Sequence, residues 1–368
     1  MRILVTGANG FIGKTLLVRM AEEGDFAVDS FTRADDAATL PAKVAAADAI
    51  VHLAGENRPA DPAAFMDVNG GLTAALCDAV RAAGRPIPLI FASSIQAERD
   101  NPYGESKRAG EKAVARLAES PGQNCIIFRL PNVFGKWCRP NYNSAVATFC
   151  HNIARGLPIR VDDPAASLTL VYVDDVANSL IAALRAPRPG LHRGAVEPVY
   201  DTTVGEVADL LHAFRDSRET LVTERVGTGL IRALYSTYVS YLPTEDFSYA
   251  VPVHGDARGV FVEMLKTPDS GQFSFFTAHP GITRGGHYHH SKTEKFLVIK
   301  GRARFGFRHI LTDEYHSLET SGEEPRIVET VPGWSHDITN IGEEEMIVML
   351  WANEIFDRAR PDTIARSV

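Results

Sequence analysis

The sequence lacks the excess of basic residues that nucleic-acid-binding proteins usually carry. Its 368 residues contain 38 Lys and Arg against 46 Asp and Glu, which gives a net charge of −8. Because such proteins cluster cationic side chains to neutralise phosphates, this balance argues against a nucleic-acid partner. It does not exclude an anionic small molecule held by one arginine or by backbone N–H groups.

Long apolar runs and paired cysteines are also missing. No apolar stretch approaches the roughly 20 residues that a membrane-spanning helix needs, so we expect no membrane partner. The start, MRILVTGANGFIG, lacks the basic and apolar regions of a secretory signal. The four cysteines, Cys77, Cys125, Cys138 and Cys150, show no CxxC spacing, which is typical of reduced thiols. We therefore expect a cytoplasmic protein.

The first part of the chain alternates strand-like with helix-like segments. Short apolar runs occur at Arg2–Thr6, Ala27–Thr32, Ala49–Leu53, Leu89–Ala92 and Cys125–Leu130. Helical spacing is present at Gly13–Glu22, Leu72–Ala83 and Ser106–Ala118. Strands that alternate with helices predict βαβ units around a buried parallel sheet, which is an α/β doubly wound fold.

The pattern changes near Pro243. From Phe247 onward the sequence predicts short strands and no long helix. These strands are Gly259–Leu265, Gln272–Ala278, Glu294–Lys300, Ala303–His309, Arg326–Val331 and Glu345–Trp351. Frequent turns between short strands indicate an all-β barrel or sandwich. We expect two domains, residues 1–243 and 244–368.

A glycine-rich turn, TGANGFIG, follows the first predicted strand. Gly7, Gly10 and Gly13 let the backbone approach a pyrophosphate, which the N-terminus of the next helix would bind. The alternative is a plain tight turn, which this strand-turn-helix context disfavours. The residues that we expect to contact the cofactor here are Gly7, Asn9, Gly10, Phe11, Ile12 and Gly13.

The second strand ends at Arg33 rather than at an acidic residue. An acidic residue at this point would bind a ribose 2′-hydroxyl, whereas a guanidinium suits a 2′-phosphate through charge-assisted hydrogen bonds. Asp29 lies earlier in the strand and is a weaker candidate. Arg33 therefore favours NADP(H), and the alternative is a solvated surface arginine.

Tyr103 and Lys107 form a YxxxK motif in YGESK. Residues four apart share one face of a helix, so the ammonium can stabilise a tyrosinate and can also hold the cofactor ribose. Ser94, at the end of the fourth predicted strand, can donate to a substrate carbonyl. These three residues are the predicted catalytic group of a ketone reductase.

Residues 1 to about 243 resemble the extended short-chain dehydrogenases that act on nucleotide sugars, which have a Rossmann-type fold. Besides TGANGFIG and YGESK, the matching segments are HLAG (52–55), VNGG (68–71), SSI (93–95), RLPNVFG (129–135) and VYVDDVA (171–177). The resemblance implies cofactor contacts for Leu53, Ala54 and Gly55, a structural or proton-relay role for Asn69, and substrate contacts for Asn132, Arg139 and Asn141. The interval between Ser94 and Tyr103 is shorter than in many relatives.

The segment GITRGGHYHHSKTEKFLVIKG (281–301) and the later PGWSHDITN (332–340) resemble the two signatures of the cupin barrel family. The resemblance implies that His287, His289, Glu294 and His336 hold one divalent metal. Positions two apart on a strand face the same way, so His287 and His289 would both point inward. Glu294 is expected on the neighbouring strand. Imidazole and carboxylate ligands suit Zn, Ni, Mn or Fe, with zinc foremost. The alternative is a polar barrel without metal.

Both halves together resemble the bifunctional capsule and O-antigen enzymes of the UDP-N-acetyl-L-fucosamine pathway, in which a reductase is fused to a cupin epimerase. That resemblance implies a homodimer, NADPH, and a UDP-linked 4-keto-6-deoxy-N-acetylhexosamine. The cupin would epimerise carbon 3, and the reductase would then form UDP-2-acetamido-2,6-dideoxy-L-talose. Candidates for proton transfer are Tyr288, His290, Lys292 and Lys295, each with a plain surface role as the alternative. Two rival functions are a reductase whose cupin serves dimerisation or sensing, and an NADP(H)-sensing regulator.

Overall fold

The computed structural model describes residues 1–59, 61, 63–290, 292–359 and 361–368. The chain forms two compact units. The first contains residues 1–211 and 227–243, and the second contains residues 212–226 and 244–368. Within the described residues, no helix is long and apolar enough to cross a membrane.

The first unit is built on a six-stranded parallel sheet. Its strand order is β2-β1-β3-β4-β5-β8. These strands are β1 (Arg2–Thr6), β2 (Ala27–Phe31), β3 (Ala49–His52), β4 (Leu89–Ser94), β5 (Asn124–Leu130) and β8 (Gly190–Gly194). A smaller three-stranded sheet contains β6 (Asn132–Phe134), β7 (Ser167–Tyr172) and β9 (Tyr200–Thr203).

The helices, in chain order, are α1 (Phe11–Glu23), α2 (Leu40–Ala46), α3 (Ala63–Phe65), α4 (Thr73–Ala82), α5 (Pro102–Ala118), α6 (Ala145–Ile153), α7 (Val173–Arg185), α8 (Val204–Thr220) and α9 (Gly229–Val239). Of these, α1 and α7 pack on one face of the parallel sheet and α4 packs on the other. Helix α8 begins in the first unit and ends in the second. A π-helical turn, Met66–Leu72, precedes α4, and 3₁₀ turns occupy Ala37–Thr39, Ile95–Glu98 and Thr244–Phe247.

Alternation along β1 explains why the sheet is buried on both sides. Ile3 packs with Leu16 of α1 and Leu180 of α7 on one face. Leu4, the next residue, packs with Leu76 of α4 on the other. A strand buried on both faces reads as a continuous apolar run, as β1 does. The predicted Rossmann-type doubly wound sheet is confirmed.

The start of α5 brings the YxxxK motif fully onto the helix. Helical spacing in the sequence begins at Ser106, but α5 begins at Pro102. Asn101 caps this helix, because its side-chain oxygen accepts a hydrogen bond from the backbone N–H of Gly104 at 2.8 Å. Proline at the first helical position has a compatible φ and no N–H to leave unpaired. Tyr103 and Lys107 therefore lie on the first two turns of α5.

The second unit consists of two antiparallel sheets. One has the order β10-β11-β12-β19-β14-β17 and the other β16-β15-β18-β13-β20. The strands are β10 (Val253–Asp256), β11 (Gly259–Thr267), β12 (Gly271–Ala278), β13 (Thr283–Tyr288), β14 (Glu294–Lys300), β15 (Arg302–His309), β16 (Tyr315–Ser321), β17 (Ile327–Glu329), β18 (Trp334–Asn340), β19 (Met346–Ala352) and β20 (Ile364–Ala365). Phe276, Phe296, Phe305 and Ile338 belong to the core between the sheets. The predicted all-β cupin architecture is confirmed.

Residues 212–226 pack with the β-sheets of the second unit. Val222 forms a parallel β-bridge with Lys266 of β11. The backbone N–H of Thr223 donates to the Lys266 carbonyl at 2.8 Å, and the Lys266 N–H donates to the Leu221 carbonyl at 2.7 Å. Leu221 is buried. This segment therefore adds a short stretch of backbone pairing to β11.

Candidate active sites

The turn between β1 and α1 has the geometry of a nucleotide-binding loop. Gly7 has φ +71°, and a Cβ at this residue would lie 2.6 Å from the backbone nitrogen of Ala54. A Cβ at Gly13 would lie 2.4 Å from the Gly7 carbonyl oxygen, so only glycine fits at either position. Gly10 caps α1 without any side-chain hydrogen bond, which leaves the first N–H groups of the helix available. A pyrophosphate fits this arrangement.

Arg33 lies two residues beyond β2, which is an edge strand of the sheet as described. Its side chain is 80% exposed and forms an ion pair with Glu56, whose side chain is only 13% exposed. Glu56 follows the HLAG segment at the end of β3. The sequence analysis did not single out Glu56, because no motif marks it.

The predicted catalytic residues Tyr103, Lys107 and Ser94 lie close together. Burial raises the pKa of Tyr103, and a hydrogen bond with Ser94 opposes that rise. The Lys107 ammonium lies 5.9 Å from the centre of the Tyr103 ring. It donates to the Ala92 carbonyl at 3.2 Å. Tyr103 is therefore protonated at neutral pH, which is the state that a proton donor needs.

The lysine is buried and its charge is destabilised. Burial lowers the pKa of Lys107 to about 8, and the nearby carboxylate of Glu111 opposes this effect. Gly55 leaves room beside the ammonium, because a Cβ at Gly55 would lie 3.2 Å from Lys107 Nζ. A cofactor ribose could approach Lys107 along this side.

Asn69 fixes the backbone beside these groups. It lies in the π-helical turn and is buried. Its Oδ1 accepts from the Glu56 N–H at 2.8 Å, and its Nδ2 donates to the Glu56 carbonyl at 3.1 Å and to Ser106 Oγ at 3.0 Å. Asn69 thus joins the end of β3 to α5, which agrees with the structural role considered for it.

The predicted substrate-binding residues lie after β5. Asn132 is exposed, and its Nδ2 donates to the Thr169 carbonyl at 3.1 Å. Arg139 and Asn141 lie in an exposed loop. The Arg139 guanidinium stacks over the Tyr142 ring at 5.4 Å, and Asn141 has φ +54°. The Tyr142 hydroxyl donates to Glu56 Oε1 at 3.1 Å, a contact that sequence reasoning missed.

In the second unit, His287, His289, Glu294 and His336 form one cluster. One possible ligand atom from each residue lies within 4.8 Å of the others. Burial lowers the pKa of His287 to about 4, which keeps its imidazole neutral and able to bind a metal. His336 Nδ1 is buried and has no hydrogen-bond partner among the described residues. Three imidazoles and one carboxylate suit a divalent ion, so the donor set fits a metal.

The ligands come from both sheets of the second unit. Glu294 begins β14, whose described neighbours are β17 and β19, whereas His287 lies on β13 of the other sheet. The expectation that Glu294 occupies the strand next to the histidines is therefore wrong. A bulge between Gly285 and His287 adjusts β13, so that His287 pairs with His336 of β18. The cluster thus lies between two facing sheets.

Neighbouring groups orient the cluster. His289 Nδ1 contacts the backbone carbonyl of Asp362, while His289 Nε2 lies 3.2 Å from Glu294 Oε2. Lys292 Nζ lies 2.9 Å from Glu294 Oε1. Although burial opposes ionisation of Glu294, its contacts with His289, His336 and Lys292 lower its pKa far below the usual value. The carboxylate is therefore ionised, as a metal ligand must be.

The four candidates for proton transfer differ in exposure. Lys292 is buried, so a surface role does not describe it. His290 is exposed, and Lys295 pairs with the exposed Glu329. Tyr288 is half-buried and packs edge-on against His290, with ring centres 5.4 Å apart. Lys292 is the member of the group that reaches the metal-ligand cluster.

Residues 3–197 match the model of the NAD dependent epimerase/dehydratase family. The chain belongs to that family. Residues 254–364 match the polysaccharide biosynthesis C-terminal domain. The chain thus combines a domain of this family with a second domain of a different family.

Full-length relatives have the same two parts. The UDP-2-acetamido-2,6-beta-L-arabino-hexul-4-ose reductase of Pseudomonas aeruginosa is 60% identical over 368 residues, which is 100% of this chain and 99% of that protein. The crystal structure of the capsular polysaccharide assembling protein CapF from Staphylococcus aureus covers 100% of both chains at 41% identity and a TM-score of 0.91. The resemblance to fused reductase–cupin enzymes is confirmed.

A more distant structure matches over part of the chain. The RMD protein of Pseudomonas aeruginosa, solved with NADPH, is 24% identical and has a TM-score of 0.52, over 58% of this chain and 84% of its own. At that identity the match shows a shared fold. The family is described as NAD dependent, which agrees with the glycine-rich turn described above.

Proposed function

We propose that this protein converts a UDP-linked 4-keto-6-deoxy-N-acetylhexosamine in two steps, for capsule or O-antigen synthesis. The second unit inverts carbon 3, and the first unit then reduces the 4-keto group to give UDP-2-acetamido-2,6-dideoxy-L-talose. The full-length 60% identity to a UDP-hexul-4-ose reductase carries this proposal, because it spans both sites. The homodimer suggested by the sequence stays a prediction.

In the reduction, Tyr103 donates its phenolic proton to the 4-keto oxygen as that oxygen becomes an alcohol. Ser94 holds the same oxygen by a hydrogen bond, and the Lys107 ammonium stabilises the tyrosinate that remains. NADPH, when bound at the glycine-rich turn, supplies the hydride. Glu56, Gly55 and Asn69 fix the backbone that lies between the lysine and the turn.

In the epimerisation, the 4-keto group acidifies the hydrogen on carbon 3. A base removes this proton and an acid returns one on the opposite face of the sugar. His287, His289, Glu294 and His336 would hold a divalent ion, with zinc foremost, which supplies Lewis-acid stabilisation of developing negative charge. Lys292 is buried and contacts this cluster, because its ammonium lies 2.9 Å from Glu294.

The direct test is to supply the full-length protein with the keto sugar nucleotide and NADPH in deuterated water. We expect oxidation of one NADPH per sugar and deuterium at carbon 3 of the product, both measured by NMR. Reduction without deuterium at carbon 3 would leave only the rival function, a reductase with a non-catalytic cupin. Absence of both reactions would contradict the proposal as a whole.

Replacement of Arg33 by alanine tests the choice of NADPH. In the proposal this guanidinium binds the 2′-phosphate, and hydrogen bonds to charged groups contribute about 1.5–3 kcal/mol. We therefore expect the KM for NADPH to rise roughly 10-fold or more, while the KM for NADH changes little. Arg19, a partly exposed arginine paired with Glu22 at 2.6 Å, provides the matched control as Arg19→Ala. An equal rise in the KM for NADPH and for NADH would contradict the role of Arg33.

The buried lysine predicts the pH dependence of the reduction. Lys107 has a pKa of about 8, lowered by burial, and its ammonium is needed to stabilise the tyrosinate. The Tyr103 hydroxyl stays protonated through this range because its own pKa is raised above 10.0. We expect kcat/KM for the keto sugar to be constant at neutral pH and to fall tenfold per pH unit above about pH 8. A profile that stays level to pH 10 would contradict this assignment.

A further inference from the structure

The side chain of Glu56 lies between the side chains of Arg33 and Tyr142. Its backbone is held on both sides by the amide of buried Asn69, at 2.8 Å and 3.1 Å. Its side chain is 13% exposed, so the carboxylate is largely shielded from water. A fixed backbone and a shielded carboxylate give this residue a well-defined position beside the proposed cofactor site.

The two carboxylate oxygens of Glu56 have different partners. Oε2 pairs with the guanidinium of Arg33, while Oε1 accepts a hydrogen bond from the Tyr142 hydroxyl at 3.1 Å. Arg33 is proposed to hold the 2′-phosphate of NADPH. Tyr142 lies in the same loop as Arg139 and Asn141, two of the predicted substrate contacts, and the Arg139 guanidinium lies 5.4 Å from its ring. This loop is called the sugar-nucleotide loop below. One carboxylate therefore contacts both binding regions within the first unit.

Arg33 can exchange this carboxylate for a phosphate. Its side chain is 80% exposed, so it can turn towards a ligand without unpacking the core. A 2′-phosphate carries more negative charge than a shared carboxylate and accepts bidentate hydrogen bonds from a guanidinium. Once Arg33 has turned to the phosphate, the negative charge of Glu56 is no longer shared. The carboxylate then becomes a stronger acceptor for the Tyr142 hydroxyl.

We propose that Glu56 is a positioning residue that couples recognition of the 2′-phosphate by Arg33 to the sugar-nucleotide loop through Tyr142. Binding of NADPH strengthens the Glu56–Tyr142 hydrogen bond and so stabilises the loop conformation that receives the nucleotide. NADH, which has no 2′-phosphate, leaves Arg33 on Glu56 and has no such effect. This inference rests on the proposed function, since it needs both an NADPH site and a sugar-nucleotide site in this unit.

The test measures the affinity of the full-length protein for UDP by calorimetry, with saturating NADP⁺ or with saturating NAD⁺. Coupling between ligand sites is typically 5–150-fold, so we expect UDP to bind about 5-fold tighter with NADP⁺ than with NAD⁺. Linkage requires that UDP raise the affinity for NADP⁺, relative to the affinity for NAD⁺, by the same factor, which provides an independent check. An affinity for UDP that is equal with the two cofactors would overturn the proposal.

Two variants test the proposed coupling from Arg33 through Glu56 to Tyr142. In Glu56→Gln the side-chain oxygen can still accept from Tyr142, but the ion pair with Arg33 is lost, and Tyr142→Phe removes only the hydroxyl contact. We expect both variants to bind UDP equally well with either cofactor. The matched control Glu22→Gln, which breaks the exposed pair with Arg19, should keep the wild-type ratio. Retention of that ratio in either Glu56→Gln or Tyr142→Phe would contradict the role of Glu56.

Failure of the proposed function gives a different result. If the wild-type protein binds neither UDP nor NADP⁺, both the proposed function and the coupling are wrong. If it binds both, and the ratio between cofactors is unity, then only the coupling is wrong. The experiment thus separates the binding of UDP and NADP⁺ from the effect of each ligand on the affinity for the other.

Discussion

Replacement of Tyr103 by phenylalanine is expected to lower the rate of NADPH oxidation with the keto sugar by about 10²–10⁴-fold, the usual contribution of a general acid. The variant keeps the aromatic ring that packs edge-on against Phe65 at 5.5 Å, so α5 should keep its position. It loses the hydroxyl, which is the proposed source of the proton. Stopped-flow absorbance of NADPH gives the rate directly.

The same variant should still catalyse exchange of the hydrogen on carbon 3 of the substrate with solvent. Exchange depends on the second unit, which the substitution does not touch, so deuterium incorporation should stay within about two-fold of wild type. Tyr200→Phe, which removes a half-buried hydroxyl from β9, is a matched control for the reduction. Full NADPH oxidation by Tyr103→Phe would show that another group supplies the proton.

Disruption of the histidine cluster should have the opposite effect and strongly lower deuterium exchange at carbon 3. In His287→Ala the cluster loses one of its three imidazoles, and we expect bound metal to fall at least 10-fold, as measured by elemental analysis. Deuterium incorporation at carbon 3 should fall by about 10²-fold or more, because the metal ion would no longer stabilise the negative charge that develops beside the ketone. Removal of the metal by a chelator should have the same effect, and added Zn²⁺ should restore exchange.

The control for this prediction is His254→Ala, since His254 is an exposed histidine on β10 of the same unit and lies outside the cluster. Circular dichroism should show that His287→Ala keeps its β-structure, because His287 is only half-buried. Exchange that continues at the wild-type rate in metal-free protein would assign the metal a purely structural role. The proton-transfer groups would then act without it.

The sequence predicted those parts of the two sites that are close together along the chain. The glycine-rich turn, the YxxxK pair and the HxH pair are each set by local geometry: a strand-to-helix turn, a helix period of 3.6 and a strand period of 2. The β1 boundaries, Arg2–Thr6, agree with the prediction because four of its five residues are apolar or buried and glycine follows at once. Local patterns of this kind need no knowledge of distant residues.

The contacts that the sequence could not predict join residues far apart in the chain. Glu56 and Tyr142 are separated by 86 positions, and His289 and Asp362 by 73. Neither Glu56 nor Asp362 belongs to a periodic pattern or a motif. The placement of Glu294 depends on which sheet β14 joins, and the local sequence around Glu294 does not set that pairing. The sequence therefore indicated the candidate ligand and catalytic side chains but missed the groups that contact them.

The chain passes between the two compact units three times, after residues 211, 226 and 243. Expression of residues 244–368 alone would omit the strand-like stretch at 221–223 and expose the backbone N–H and carbonyl of Lys266. An isolated second unit would therefore have to keep residues 212–226 together with residues 244–368.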